Sequence, residues 1–186
     1  MANALTVPHA VAALVLCVAG LAKLRSPAGA ARAVGLPPGP VRIFAGAELA
    51  LGVWALADAA GLASLLMTGL YVGFAGLTIR LARNGKACGC FGAQRSPASP
   101  LQSLLSIALA GACALAAAGG THAAAWISGR PPGFVTLLVV GTAGAVYGVV
   151  LAYSELPLLW RSWRPAAGRL MPPPAVASPD GERRPA

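Results

Sequence analysis

Two cysteines one residue apart, Cys88-Gly89-Cys90, are the residues of this sequence with the plainest chemistry. Thiols separated by a single glycine can approach each other, and glycine tolerates the backbone distortion that a disulfide across so small a ring requires. A strained disulfide is more easily reduced, which suits exchange better than permanent bracing. Arg83, Lys86 and Arg95 stand close by and would favour the thiolate, the reactive form. Cys-x-Cys is open to two other readings: a partial metal or copper contact, and an inert tight turn. The chain adds no second close pair and only His9 and His122, both distant in sequence, so a complete zinc site within it is not expected.

Glu48 is the second chemical candidate. It interrupts an apolar run, Val41 to Ala57, at a depth of roughly 10 Å at the helical rise. An ionisable group at that depth is costly and is a functional candidate by default. Lys23, at the end of the preceding run, shares its side of the membrane, and its long stem can bend inward to meet it. Three readings stand: a structural ion pair, a proton-handling group coupled to thiol chemistry or to a bound quinone, and a protonated acid hydrogen-bonded to a neighbouring helix. Cys17 and Cys113 fall inside apolar runs. They can be imagined as an intramembrane pair passing electrons to the loop, but such cysteines commonly behave as small buried hydrophobes. Tyr71, Tyr147, Trp54 and Trp126 read as core or interface residues.

The elements that must position these groups follow from composition. The 186 residues are 57% hydrophobic and only 10% charged, against about 25% charged in an ordinary globular domain. A soluble domain could not cover itself with so little charge. The apolar residues fall in five runs, Leu5 to Leu21, Val41 to Ala57, Leu62 to Leu81, Leu101 to Ala118 and Phe134 to Tyr153, close to the roughly 20 residues that cross hydrocarbon. An all-α, polytopic membrane bundle is therefore expected. Its Gly and Ala content lets helices approach closely. Ser26-Pro27 and the Gly35 to Pro40 stretch read as chain breaks, because proline removes donors and disfavours helix before it. The first run is read as a retained helix and not a secretory signal, since its basic residues follow it. Trp160 and Trp163 look like interfacial anchors, and residues 161–186, Pro-rich and basic, read as a disordered tail.

The formal net charge of +9 would suggest nucleic acid in a soluble protein. Here the basic residues lie between apolar runs or in the tail, so they read as topology determinants and no nucleic-acid partner is expected. Lys23, Arg25, Arg32 and Arg42 flank the first connection, Arg80, Arg83, Lys86 and Arg95 the third, and Arg161 to Arg184 the tail. The positive-inside bias then puts the N-terminus outside, the C-terminus in the cytoplasm and the Cys-Gly-Cys loop in the cytoplasm.

Three segments, taken in order, resemble the MauE family within the wider DoxX-like group of small membrane proteins. They are Ala19 to Pro27, ending the first run; Ala47 to Gly52 around Glu48; and Arg83-Asn84-Gly85-Lys86-Ala87-Cys88-Gly89-Cys90-Phe91-Gly92. The resemblance implies a four-helix membrane domain over residues 1–120, to which this chain adds a loop and fifth helix over 121–160 and the tail over 161–186. It further implies a part in methylamine utilisation, supporting disulfide formation or maturation of an extracytoplasmic client such as methylamine dehydrogenase, beside a thioredoxin-like partner. Thiols serving an extracytoplasmic client are expected outside, whereas the charge count puts them inside. A non-catalytic assembly factor, or a quinone-linked subunit of DoxX-like type, is the competing reading. A transporter is disfavoured by the scarcity of intramembrane polar groups and of paired broken helices.

Overall fold

Inside hydrocarbon no water satisfies backbone N–H and C=O groups, so each apolar run must close its hydrogen bonds within itself. The computed structural model describes residues 2–57, 61–87, 98–119, 127–156 and 158–159. The main helices among them are α1 (Ala2–Arg25), α2 (Pro27–Val34), α3 (Pro38–Ala57), α4 (Leu62–Arg83), α5 (Pro100–Gly119) and α6 (Pro132–Ser154). All but α2 are long and apolar enough to cross a membrane, and the chain is an all-α, multi-pass membrane protein. The connection at 120–126, Trp160, Trp163 and the tail lie outside the described residues.

The spans overrun their apolar runs for identifiable reasons. Proline opens α3, α5 and α6, and at a first helical position the N–H it lacks would have had no partner. Lys23 and Arg25 occupy the last turn of α1, and Arg80 and Arg83 that of α4, where cations complement the helix dipole.

One segment corrects the sequence reading. Residues 27–34, lying between the two expected chain breaks and not read as a helix, form helix α2. The apparent breakers are its ends: Pro27 opens it, and Gly35 closes it at φ 72°, with Leu36 N–H donating to Ala31 O at 3.0 Å. Ala30 and Ala31 are buried against Val41 of α3, which holds α2 to the bundle.

The most extensive helix pairings are α1 with α3 and α4 with α5, and α1 also packs on α5 and α6. The core is made of small and medium side chains, among them Ala12, Ala13, Leu16, Ala63, Met67, Tyr71 and Cys113. The α1–α3 crossing is closest at its glycines. A Cβ added to Gly52 would sit 2.6 Å from Cys17 Sγ and 2.8 Å from Ala13 O, and one on Gly20 would sit 2.7 Å from Ala45 O. Such contact supplies the dispersion attraction that lipid, as apolar as the helices, cannot provide. Large apolar side chains point outward instead; Ile43 is 78% exposed and Leu137 74%. α6 buries only Tyr153 and Ser154.

Candidate functional site

Cys88, Gly89, Cys90 and Arg95 lie outside the described residues, but the frame that carries them is described. α4 ends in a Schellman motif. Gly85 takes φ 63° and its N–H donates to Ala82 O at 3.2 Å, while Lys86 N–H donates to Leu81 O at 3.0 Å. Arg83 and Lys86 are exposed at this end. On the far side of the loop, Ala98 N–H donates to Lys86 O at 3.2 Å, so the two ends of the segment are tied together. Gln102 then braces the return: its Oε1 accepts from Ser99 N–H at 3.1 Å, and its Nε2 donates to Tyr153 O at 2.8 Å.

Lys23 and Glu48, the partners expected from their shared side of the membrane, meet. Lys23 Nζ donates to Glu48 Oε1 at 2.5 Å, with Lys23 5% and Glu48 1% exposed. Glu48 Oε2 is buried and has no hydrogen-bond partner among the described residues. The ammonium also stands 4.8 Å from the Phe74 ring centroid and 5.8 Å from that of Phe44. Such rings attract a cation through their quadrupole, and the attraction grows where water is excluded. Phe74 in turn meets Phe44 and Tyr71 edge to face at 6.2 and 6.1 Å. α1, α3 and α4 thus all contribute to one polar spot in an apolar wall.

The remaining cysteines are free thiols. Cys17 Sγ contacts Leu49 O at 3.9 Å in the α1–α3 crossing, and Cys113 is fully buried in the core. Tyr71 is a core residue, whereas Tyr147 and Trp54 are exposed. No group of three or more His, Cys, Asp or Glu able to hold a metal ion occurs among the described residues.

Two polar contacts escaped the sequence reading. His9 Nε2 lies 2.8 Å from Ser64 Oγ, both buried, joining α1 to α4. Ser106 Oγ and Tyr153 Oη lie 2.7 Å apart, joining α5 to α6 next to Gln102. The signal was present as Gln102, Ser103 and Ser106, polar residues falling on one face of an otherwise apolar run.

A family model described as "Methylamine utilisation protein MauE" matches residues 1–122, which include every residue of the buried pair and of the thiol loop. The chain belongs to the MauE family. The match ends beyond α5, so α6 and the tail lie outside the MauE portion. No curated protein and no solved structure matches this MauE-family chain.

Proposed function

We propose that this MauE-family protein is a membrane component of thiol–disulfide exchange in methylamine utilisation. Cys88 and Cys90 are the redox pair. A client dithiol attacks their disulfide through a mixed disulfide, leaving an oxidised client and two thiols on the loop. Arg83, Lys86 and Arg95 favour the thiolate, and Lys23 with Glu48 form a buried polar contact between α1 and α3. The client is extracytoplasmic and a thioredoxin-like protein is the exchange partner. The observation that carries this reading is the framing of the Cys-Gly-Cys segment, which begins four residues beyond Asn84, the α4 C-cap, and whose flanks are tied together from Lys86 to Ala98.

A second reading, a non-catalytic assembly factor, draws on the almost wholly unburied face of α6, where Leu137, Val139 and Val140 are free to meet another membrane protein. The two readings separate on one variant set. Cys88→Ser and Cys90→Ser abolish client maturation if the loop exchanges disulfides. Intact maturation in both would leave the assembly reading.

The side of the loop is tested with a membrane-impermeant maleimide on a chain keeping only Cys88 and Cys90. Labelling of intact cells only after reduction means an oxidised pair outside, in direct reach of an extracytoplasmic client. Labelling that requires permeabilised membranes means a cytoplasmic loop, as the charge bias implies, with a cytosolic exchange partner.

A further inference from the structure

A groove of about 500 Å³ runs between α2, α3 and α4, and Lys23 is its one charged lining residue. Glu48 neutralises that lysine from outside the groove, so the wall itself offers hydrocarbon and little else. Gly69, Gly73 and Leu77 lie on the wall in order along α4. At the helical rise they span about 12 Å, so the groove follows a membrane-crossing helix, the direction in which acyl chains lie. Glycine keeps it open: a Cβ on Gly69 or Gly73 would meet nothing within 4 Å. Val34, Leu36 and Phe44 of the wall are 41%, 52% and 46% exposed, so the groove also opens sideways onto the bilayer.

Arg80 continues this wall towards the membrane surface. It follows Leu77 by three residues and Leu70 by ten, spacings that keep it on the same face of α4. Arg80 is exposed, and its guanidinium has no ion-pair partner among the described residues. α1, α3 and α4 alternate in direction, so the end of α1, all of α2, the start of α3 and the end of α4 share one side of the membrane. α2, only 8 residues long, cannot cross; it turns Ala30, Ala33 and Val34 to the groove and leaves Arg32 exposed, the pattern of an interfacial helix. On this side the described residues expose Arg25, Arg32, Arg42, Arg80, Arg83 and Lys86 against one exposed acid, Glu155. Basic clusters at the end of a span attract anionic headgroups.

We propose that this groove is a site for an anionic phospholipid. One acyl chain lies along Gly69 and Gly73, the second stays in the bilayer beyond Phe44, and the phosphate meets Arg80. Two conditions select such an occupant. A ligand that carried its charge into the groove would bury a third charge beside the matched Lys23–Glu48 pair. A lipid without net charge would leave the arginine-rich rim uncompensated. Hydrocarbon within and a negative charge at the rim meet both. The site rests on neither reading of the thiol loop.

The test is native mass spectrometry of the full-length protein released from detergent micelles that contain dioleoyl phosphatidylglycerol or dioleoyl phosphatidylcholine. The native chain should hold the anionic lipid about tenfold or more tightly than the zwitterionic one, roughly a decade in affinity. Arg80→Gln should remove most of that preference. Gly73→Leu fills the groove and leaves every charge in place; Gly76→Leu, equally free of contacts but off the wall, is its control. Phosphatidylglycerol binding should fall about tenfold with Gly73→Leu and stay within about twofold with Gly76→Leu. Equal retention of the two lipids by the native chain would overturn the site, and so would native-like binding by Gly73→Leu or by Arg80→Gln. Displacement of the lipid by inorganic phosphate would also overturn it, marking a bare anion site in which the groove takes no part.

Discussion

Tyr71 of α4 reaches into the bundle and donates its hydroxyl hydrogen to the carbonyl oxygen of Ala12 on α1, 2.7 Å away, with both residues buried. Tyr71→Phe keeps the edge contact with Phe74 and loses only this bond. A cost of about 0.6 to 1 kcal/mol is expected, the size of a single hydrogen bond in a membrane bundle. Unfolding in mixed micelles measures it. A loss above about 3 kcal/mol would mean that the ring itself had moved.

Lys23→Met should cost far more. Removing one partner of a buried pair strands the other, at about 3 to 5 kcal/mol, whereas replacing both with apolar residues is often neutral. The double variant Lys23→Met, Glu48→Leu should therefore recover most of the stability lost by the single one. A double variant as unstable as the single would show that the pair contributes through shape and not through charge.

Gly52→Ala should disrupt the α1–α3 crossing, because its new Cβ would lie 2.8 Å from the Ala13 carbonyl, which cannot move aside as a side chain can. Gly46→Ala on the same helix meets nothing within 4 Å and serves as the comparison. The expectation is a loss of about 1 to 3 kcal/mol for the first, the usual cost of overpacking, and little change for the second. Equal stabilities would show that the crossing relaxes freely.

Gln102→Leu removes the acceptor of Ser99 N–H and the donor to Tyr153 O together. Hydrogen exchange should speed up at Ser99 and at the C-terminal end of α6, while α1 and α3 keep native protection. Unchanged exchange at the end of α6 would show that the Ser106–Tyr153 contact alone holds it.

Much of this arrangement is legible in the residues. The five spans follow from long apolar runs, and the Lys23–Glu48 contact follows from two charges on the same side of the bilayer, one of them inside a run. α2 is not legible, because Pro27 and Gly35 read equally as breakers or as helix ends, and burial of Ala30 and Ala31 on Val41 decides between them. The cavity is hidden for a different reason. It is defined by what Gly69 and Gly73 lack once α2, α3 and α4 have met, and no periodicity announces an absence. His9–Ser64 is a contact between residues far apart in the chain, and a lone histidine in an apolar run names no partner.

The central position of α1 has a consequence for biogenesis. The helix made first finds its polar partners on helices made later: Glu48 lies 25 residues after Lys23, and Ser64 lies 55 residues after His9. While α1 waits alone in the bilayer, Lys23 can keep its charge at the headgroups by extending its stem. Only when α3 arrives can the ammonium turn inward. Burial of the Lys23 ammonium therefore depends on α1 and α3 being together in the bilayer.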